Sequence, residues 1–236
     1  MFLKSSKSET GRYLAFEPVD GLDVRVNFAS DMPSEFVYDG KRIKSVSDYV
    51  SRNFYVRLED FACLYATLCF MEKDKGFCKE GMSIRDAYYD YARMLFYVSK
   101  DKPMVLQIKY IDYVLKESAV IFIDTTDIRF GYLLAHMRMV LSYYLVIPFT
   151  LNGIDYTYNR ADKELTVSIN DEFVVIKREN IELMKSIYHS MLTTGINWNT
   201  YLDEDNRISI ANGKLFIDNI RQGELDFYKI IAIAST

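Results

Sequence analysis

The sequence predicts an α+β fold: a β N-terminal segment, a helical middle with one buried central helix, and an antiparallel, strand-rich C-terminal third with one helix. Three observations predict it. Short alternations of apolar and polar residues, bounded by turn formers, gather toward the two ends of the chain. Apolar residues three and four apart occupy the middle. The regular strand–helix alternation of a parallel-sheet enzyme is missing. The segments divide at 1–45 (arm and β-hairpin), 46–147 (helical, ending in the central helix) and 148–236 (β meander plus helix).

In chain order, residues 1–12 are polar and read as a loose arm. Tyr13 to Val19 and Leu22 to Phe28 read as strands, because Leu22, Val24, Val26 and Phe28 alternate with polar residues. Asp39-Gly40 between Phe36 and Ile43 predicts a hairpin, since this pair accepts the positive φ angles of a tight turn. Ser47 to Asn53 reads as a short helix. Arg57 to Glu72 is a stronger one, with Leu58, Phe61, Leu64, Tyr65, Leu68 and Cys69 on a helical period. Ser83 then resembles the cap of a third helix whose inner face is Ile84, Ala87, Tyr88, Tyr91, Leu95 and Val98, ended by Pro103. Met104 to Lys116 fits either strand or helix, and AVIFID at 119–124 fits a buried strand.

The central helix is read from TTDIRFGYLLAHMRMVLSYYLVIP, 125–148. Thr126 or Asp127 caps its start and Pro148 stops it. Leu134, Met137 and Leu141 are expected in the core. Arg129, His136 and Arg138 interrupt the run, which argues against a membrane span, where such charges are costly.

Beyond Pro148, Asn152-Gly153 and Asn212-Gly213 each predict a hairpin. Residues 165–176 complete a meander. Residues 179–193 form a helix with Ile181, Met184, Ile187, Tyr188 and Met191 on one stripe and Gly195 as a left-handed cap. LDFYKIIAIAST at the end fits a strand or a short helix.

Composition restricts function. The net charge of −4 speaks against a nucleic-acid surface, which needs clustered Lys and Arg. The 19 Tyr and 15 Phe against one Trp suit cores and interfaces alike. Cys63, Cys69 and Cys78 are odd in number, and no secretory apolar stretch follows Met1, so thiols in a reducing, intracellular setting are expected.

No catalytic or cofactor motif stands out. P-loop, Gly-x-Gly-x-x-Gly and Gly-x-Ser-x-Gly patterns are absent. Two histidines and three cysteines do not compose a zinc site, and Asp203-Glu204-Asp205-Asn206 lacks the glycine and closing glutamate of a calcium loop. Asp86 and Asp90 read as a charged helix face. No metal and no cofactor are expected. His136, sharing a helix with Arg129, is the residue around which a small intracellular enzyme or host-interfering factor would be built, as the alternative to a non-enzymatic protein.

Interfaces are the other candidate. Ile154, Tyr156 and Tyr158 share one face of a strand. The C-terminal third holds more apolar strand face than one helix can cover, so these three are the expected anchors of a protein–protein contact. Tyr-, Ile- and Asn-rich short strands with Asn-Gly turns, and a strand running straight into an amphipathic helix at DEFVVIKRENIELMKSIYHSML, resemble small structural and assembly proteins of tailed bacteriophages. The resemblance covers the C-terminal half and implies a non-enzymatic subunit of a tail, baseplate or neck. It implies other protein subunits as partners, and a cytoplasmic site of synthesis followed by a place in the virion.

Overall fold

A computed structural model describes residues 12–71, 81–99, 104–195 and 198–236. The fold is α+β. Contacts divide the chain into two compact units, one ending at Tyr143 and the other running Tyr144–Thr236. The predicted division at 45/46 does not separate bodies, because the second strand of the chain pairs with the fifth across it.

In the first unit, β1 (Tyr13–Pro18), β2 (Asp23–Ser30) and β5 (Val50–Arg57) form a three-stranded antiparallel sheet in that order. β3 (Glu35–Tyr38) and β4 (Lys41–Lys44) form a separate hairpin. β6 (Met82–Arg85), β7 (Ala92–Val98), β8 (Val105–Asp112) and β9 (Glu117–Asp124) form a four-stranded meander. The helices are α1 (Leu58–Phe70) and α2 (Ile128–Leu141).

Val24, Val26 and Phe28 of β2 are fully buried, as their alternation requires. Phe28 and Phe54 meet Tyr110 of the second sheet at ring-centre distances of 5.7 and 6.3 Å, so the two sheets share an aromatic core. They are also tied along the chain after β2. The Ser34 N–H donates to the Ser118 carbonyl (2.8 Å) and the Val120 N–H to that of Met32 (3.0 Å). α1 and α2 cover the same interior, with Phe16 of β1 5.2 Å from Phe61 and 5.9 Å from the His136 ring.

Among the described residues of the middle of the chain, strand outweighs helix, which corrects the helical reading. The expected helix at 47–53 is the approach to β5, where Val50, Phe54 and Val56 are the buried positions. The expected helix from Ser83 is the β6–β7 hairpin. Ala92, Met94, Phe96 and Val98 alternate inward, a period of two that the helical reading passed over. The helix stop at Pro103 and the 1–11 part of the arm lie outside the described residues, as does Cys78. Cys63 and Cys69 are thiols.

The central helix is shorter than expected and is not stopped by Pro148. Asp127 caps it, accepting from the Arg129 N–H (2.8 Å), and it closes at Leu141. The apolar run looked continuous because two elements abut. The helix contributes Phe130, Leu133, Met137, Val140 and Leu141. A strand then contributes Ile147, Phe149 and Leu151. Pro148 sits in that strand at the sheet edge, where its missing N–H costs no ladder bond. Among the described residues no helix is long and apolar enough to cross a membrane.

The second unit holds the sheet β10 (Val146–Leu151), β11 (Ile154–Asn159), β12 (Glu164–Ile169) and β13 (Glu172–Ile176), then α3 (Arg178–Thr194). A small sheet follows: β14 (Thr200–Tyr201), β15 (Ile208–Ala211), β16 (Lys214–Ile217) and β17 (Ile220–Arg221), then α4 (Glu224–Ile233). Three Asp-Gly and Asn-Gly turns have both central residues at positive φ: 49° and 70° at Asp39-Gly40, 52° and 77° at Asn152-Gly153, and 51° and 71° at Asn212-Gly213; at Asp20-Gly21, between β1 and β2, only the glycine does, at 95°. α3 ends on Gly195 at φ 68°. α3 packs on β12, α4 packs on β16 and on α3, and Tyr188 meets Phe227 edge-on at 5.4 Å.

The helix α2 supplies a test of this register. Leu133 is buried whereas Leu134 is only half-buried. Leu133→Ala is expected to cost about 2–5 kcal/mol in urea unfolding, as for other core leucines. Leu134→Ala should cost about 1 kcal/mol. Equal losses at the two positions would show that the helix is rotated from the face described.

Candidate protein interface

The residues expected to anchor a contact are placed differently by the structure. Tyr156 and Tyr158 are 2% and 3% exposed and belong to the core of the second unit. Tyr156 stacks on Phe149 at 4.9 Å with the rings nearly parallel, and its hydroxyl has no hydrogen-bond partner. The surplus apolar strand face that made them candidates is covered, because the C-terminal segment is a helix and supplies a second cover beside α3. Ile154 is half-buried and lines a groove of about 530 Å³ with Ile169, Ile217 and Ile220 between hairpin turns.

Four exposed aromatics, Tyr38, Tyr88, Tyr89 and Tyr91, gather instead at one end of the first unit, on three turns. The β6–β7 turn is built on Asp86, which is buried. One carboxylate oxygen accepts from the N–H groups of Tyr88 (2.9 Å) and Tyr89 (3.0 Å). The other accepts from the Tyr55 N–H (3.0 Å). The β8–β9 turn repeats the device. Buried Asp112 accepts from the N–H groups of Val114 (2.9 Å) and Leu115 (2.8 Å), and the Tyr110 hydroxyl lies 3.3 Å from its second oxygen. An Asp that captures the N–H groups two and three residues on closes a turn and turns the side chains of those residues outward. Here they are Tyr88 (61% exposed), Tyr89 (47%), Val114 (64%) and Leu115 (48%).

The two turns lie side by side because Ala92 pairs with Asp112 across β7 and β8 and the Tyr113 N–H donates to the Tyr91 carbonyl (3.0 Å). The β3–β4 hairpin is the third turn and brings Tyr38 to 5.2 Å from Tyr113. Tyr89 and Tyr91 are 5.5 Å apart, and Tyr88 meets Tyr55 edge-on at 5.0 Å. Six tyrosines, 38, 113, 91, 89, 88 and 55, thus follow one another by direct contact or chain adjacency. The 45–49 segment borders them, with the Val46 N–H on the Lys116 carbonyl (3.1 Å) and the Ser47 hydroxyl on Glu117 (2.9 Å), which also pairs with Arg52 (2.6 Å).

Carboxylates act on the phenols at this end. The Tyr88 hydroxyl donates to Asp23 (2.6 Å), and that hydrogen bond together with the Asp23 charge raises the phenol pKa above its ordinary value. Tyr91 is raised by desolvation and then by the charge of Asp112. Burial raises the Asp86 carboxyl against the three N–H groups that lower it. The helical reading of 83–98 concealed this surface by counting Tyr88 and Tyr91 as core and Asp86 and Asp90 as a helix face. The signal for the turn was Asp86-Ala87 followed by Tyr-Tyr-Asp-Tyr just before a strict alternation.

His136 stands apart, 7% exposed on α2. Its Nδ1 has no hydrogen-bond partner, and it lines a groove of about 300 Å³ with Phe16, Glu17, Met139, Val140 and Tyr143. The carboxylate of that groove, Glu17, is already engaged by Arg25 and by Asn27 (3.1 Å). Arg129 is occupied by Asp127 at 2.6 Å. The imidazole is hydrogen-bonded to the Phe16 backbone, and the carboxylate beside it is turned to other partners. Among the described residues, no group of three or more His, Cys, Asp or Glu side chains could hold a metal. Asp203 instead closes its own loop, accepting from the N–H groups of Asp205, Arg207 and Ile208.

Compared with models of protein families, with curated proteins and with solved structures, the chain has no match.

Two outcomes test the geometry. Asp86→Ala strands three backbone donors, so it should cost about 2–4 kcal/mol in unfolding experiments. A loss under about 0.5 kcal/mol, the scale of a surface change, would mean that the carboxylate does not hold the turn. For His136, burial lowers the pKa from its ordinary 6.5. The unfolded chain then binds the proton that the fold resists, and stability falls as the pH drops through 6.5 toward the folded value. The melting temperature should fall further for the wild type than for His136→Gln between about pH 7 and about pH 5. Parallel curves would show that the imidazole is not held neutral.

Proposed function

We propose that this chain is a non-enzymatic interaction protein, a subunit of a larger assembly, and that it docks a partner protein through the tyrosine-bearing turns of its first unit. The observation that carries the reading is the pair of buried carboxylates, Asp86 and Asp112, each holding two apolar or aromatic side chains out of the fold on a fixed turn. Tyr offers a large contact area with few rotatable bonds and a polar tip, which is why it is enriched where proteins meet. Backbone turns locked from below leave less freedom to lose on binding. A soluble monomer rarely exposes so continuous an aromatic patch without a use for it. The tailed-phage setting belongs to the same proposal and rests on the style of the C-terminal sequence.

The test compares affinity-tagged wild type with the Tyr88→Ser, Tyr89→Ser double variant as baits in extract of the native cells. A partner identified by mass spectrometry on the wild type should be retained about tenfold less by the variant, the scale of losing one or two hot-spot aromatics. Circular dichroism and melting temperature should stay unchanged, since both side chains are exposed. Equal retention would move the interface elsewhere on the chain.

A further inference from the structure

The chemistry of the partner can be read from the same turns; the inference rests on the docking proposal above. The ridge Tyr88-Tyr89-Asp90-Tyr91 carries no cation of its own. The two turns, 86–91 and 112–117, hold Asp86, Asp90, Asp112 and Glu117 against the single Lys116. Asp23 adds a fifth carboxylate, bonded to the Tyr88 hydroxyl. Cations also border the ridge: Arg57 stands opposite Asp23 across β2 and β5, Arg93 follows Tyr91 on β7 with a buried Nε that has no hydrogen-bond partner, and the β3–β4 hairpin carries Lys41, Arg42 and Lys44, while two arginines are held by carboxylates. Arg25 donates to Glu17 (3.1 Å), and Arg85 lies 3.5 Å from Asp90.

We propose that the partner presents arginine side chains to this ridge, stacked on the tyrosine rings and paired with Asp23 and Asp90. An aromatic face carries the negative end of its quadrupole and attracts a cation lying over it. A guanidinium can lie flat on a ring while its edge donates to a carboxylate, which an ammonium cannot do. Asp90 is 91% exposed at its side chain and Arg85 57%, so their long pairing is easily exchanged for an incoming cation. The rise in the Tyr88 and Tyr91 phenols is consistent with it, since the carboxylates that resist a phenolate there would favour a cation. A nucleic acid fits poorly, because its phosphates would meet the same carboxylates.

The test is fluorescence anisotropy of the full chain with labelled synthetic peptides of alternating glycine and arginine, glycine and lysine, or glycine and glutamate. A labelled single-stranded oligonucleotide serves as a fourth probe. The arginine peptide should bind, several-fold more tightly than the lysine peptide, and should weaken as salt is raised. Tyr88→Ala and the Asp23→Asn, Asp90→Asn pair should each weaken it about tenfold, while Tyr88→Phe, which keeps the ring, should retain most of the binding. Phe173→Ser in the second unit, with the aromatic 74% exposed, should have no effect. Arginine binding indifferent to the ridge variants, or tightest binding of the glutamate peptide or the oligonucleotide, would overturn the inference. Absence of arginine binding, with the natural partner still lost on Tyr88→Ser, Tyr89→Ser, would overturn it too and leave the docking proposal standing. If both fail, the interface itself is misplaced.

Discussion

The first unit depends on a carboxylate placed where solvent cannot reach it. Burying an ionised Asp is costly unless every lone pair facing the protein finds a donor. Asp86 meets that requirement with three backbone N–H groups and Asp112 with two plus a nearby phenol. The requirement works in both directions, because four of those N–H groups sit in turns that form no ladder bonds and the fifth, that of Tyr55, is on the edge strand β5. Without the carboxylate they would be orphaned. One interaction therefore fixes the conformation of each turn, the side-by-side placement of the two turns and the outward direction of the residues that follow. Asp86 also reaches across to β5 through Tyr55, so the same side chain links the two sheets at that end.

Legibility in the sequence followed the range of the interactions involved. Turns determined by their own two residues were readable: Asp39-Gly40, Asn152-Gly153 and Asn212-Gly213 need positive φ, and those residue pairs accept it. The Gly195 cap and the buried stripe Ile181, Met184 and Ile187 on α3 are local in the same sense. The β6–β7 hairpin was not readable in that way. Its turn is closed by a side chain that also needs the Tyr55 N–H, 31 residues away. From sequence alone, Tyr88, Tyr91, Leu95 and Val98 happen to satisfy a helical spacing as well as a strand reading. The central helix failed for a different reason. Its apolar face and that of β10 are contiguous in sequence, so a run of two buried faces looked like one helix buried on every side.

The interface residues show how burial decides what a tyrosine does. Tyr156 and Tyr158 lie on a strand whose inward face is covered, and there the ring contributes packing while the hydroxyl is a liability: that of Tyr156 has no partner. Whether that face would be covered turned on the last segment of the chain, whose sequence fits strand or helix equally. As the helix α4 it buries Phe227, Ile230, Ile231 and Ile233 and gives the unit the second cover that the strand-rich reading lacked. Tyr88, Tyr89 and Tyr91 have the same side chain in turns with no layer above them. Their identity in the sequence is no different, and only the neighbouring Asp86 distinguishes them.

That difference bears on why a surface would be built from tyrosine and aspartate together. An exposed leucine cluster on turns would bury more readily against any apolar surface, including another unfolded or misassembled chain. Tyr keeps a polar tip in water while unoccupied, and the carboxylates below it impose a sign on the field above the rings. A partner lacking cations would cover Asp90 without compensation, which is a penalty, while one bearing arginine would gain from both the rings and the charge. On the docking proposal, selectivity against wrong partners would come from that asymmetry as much as from the contacts made with the right one. The carboxylates that stabilise the turns and those that flank the rings then serve separate ends. Asp86 and Asp112 are buried and bonded to backbone, unable to leave; Asp90 is exposed and weakly paired, free to exchange its neighbour for a better one.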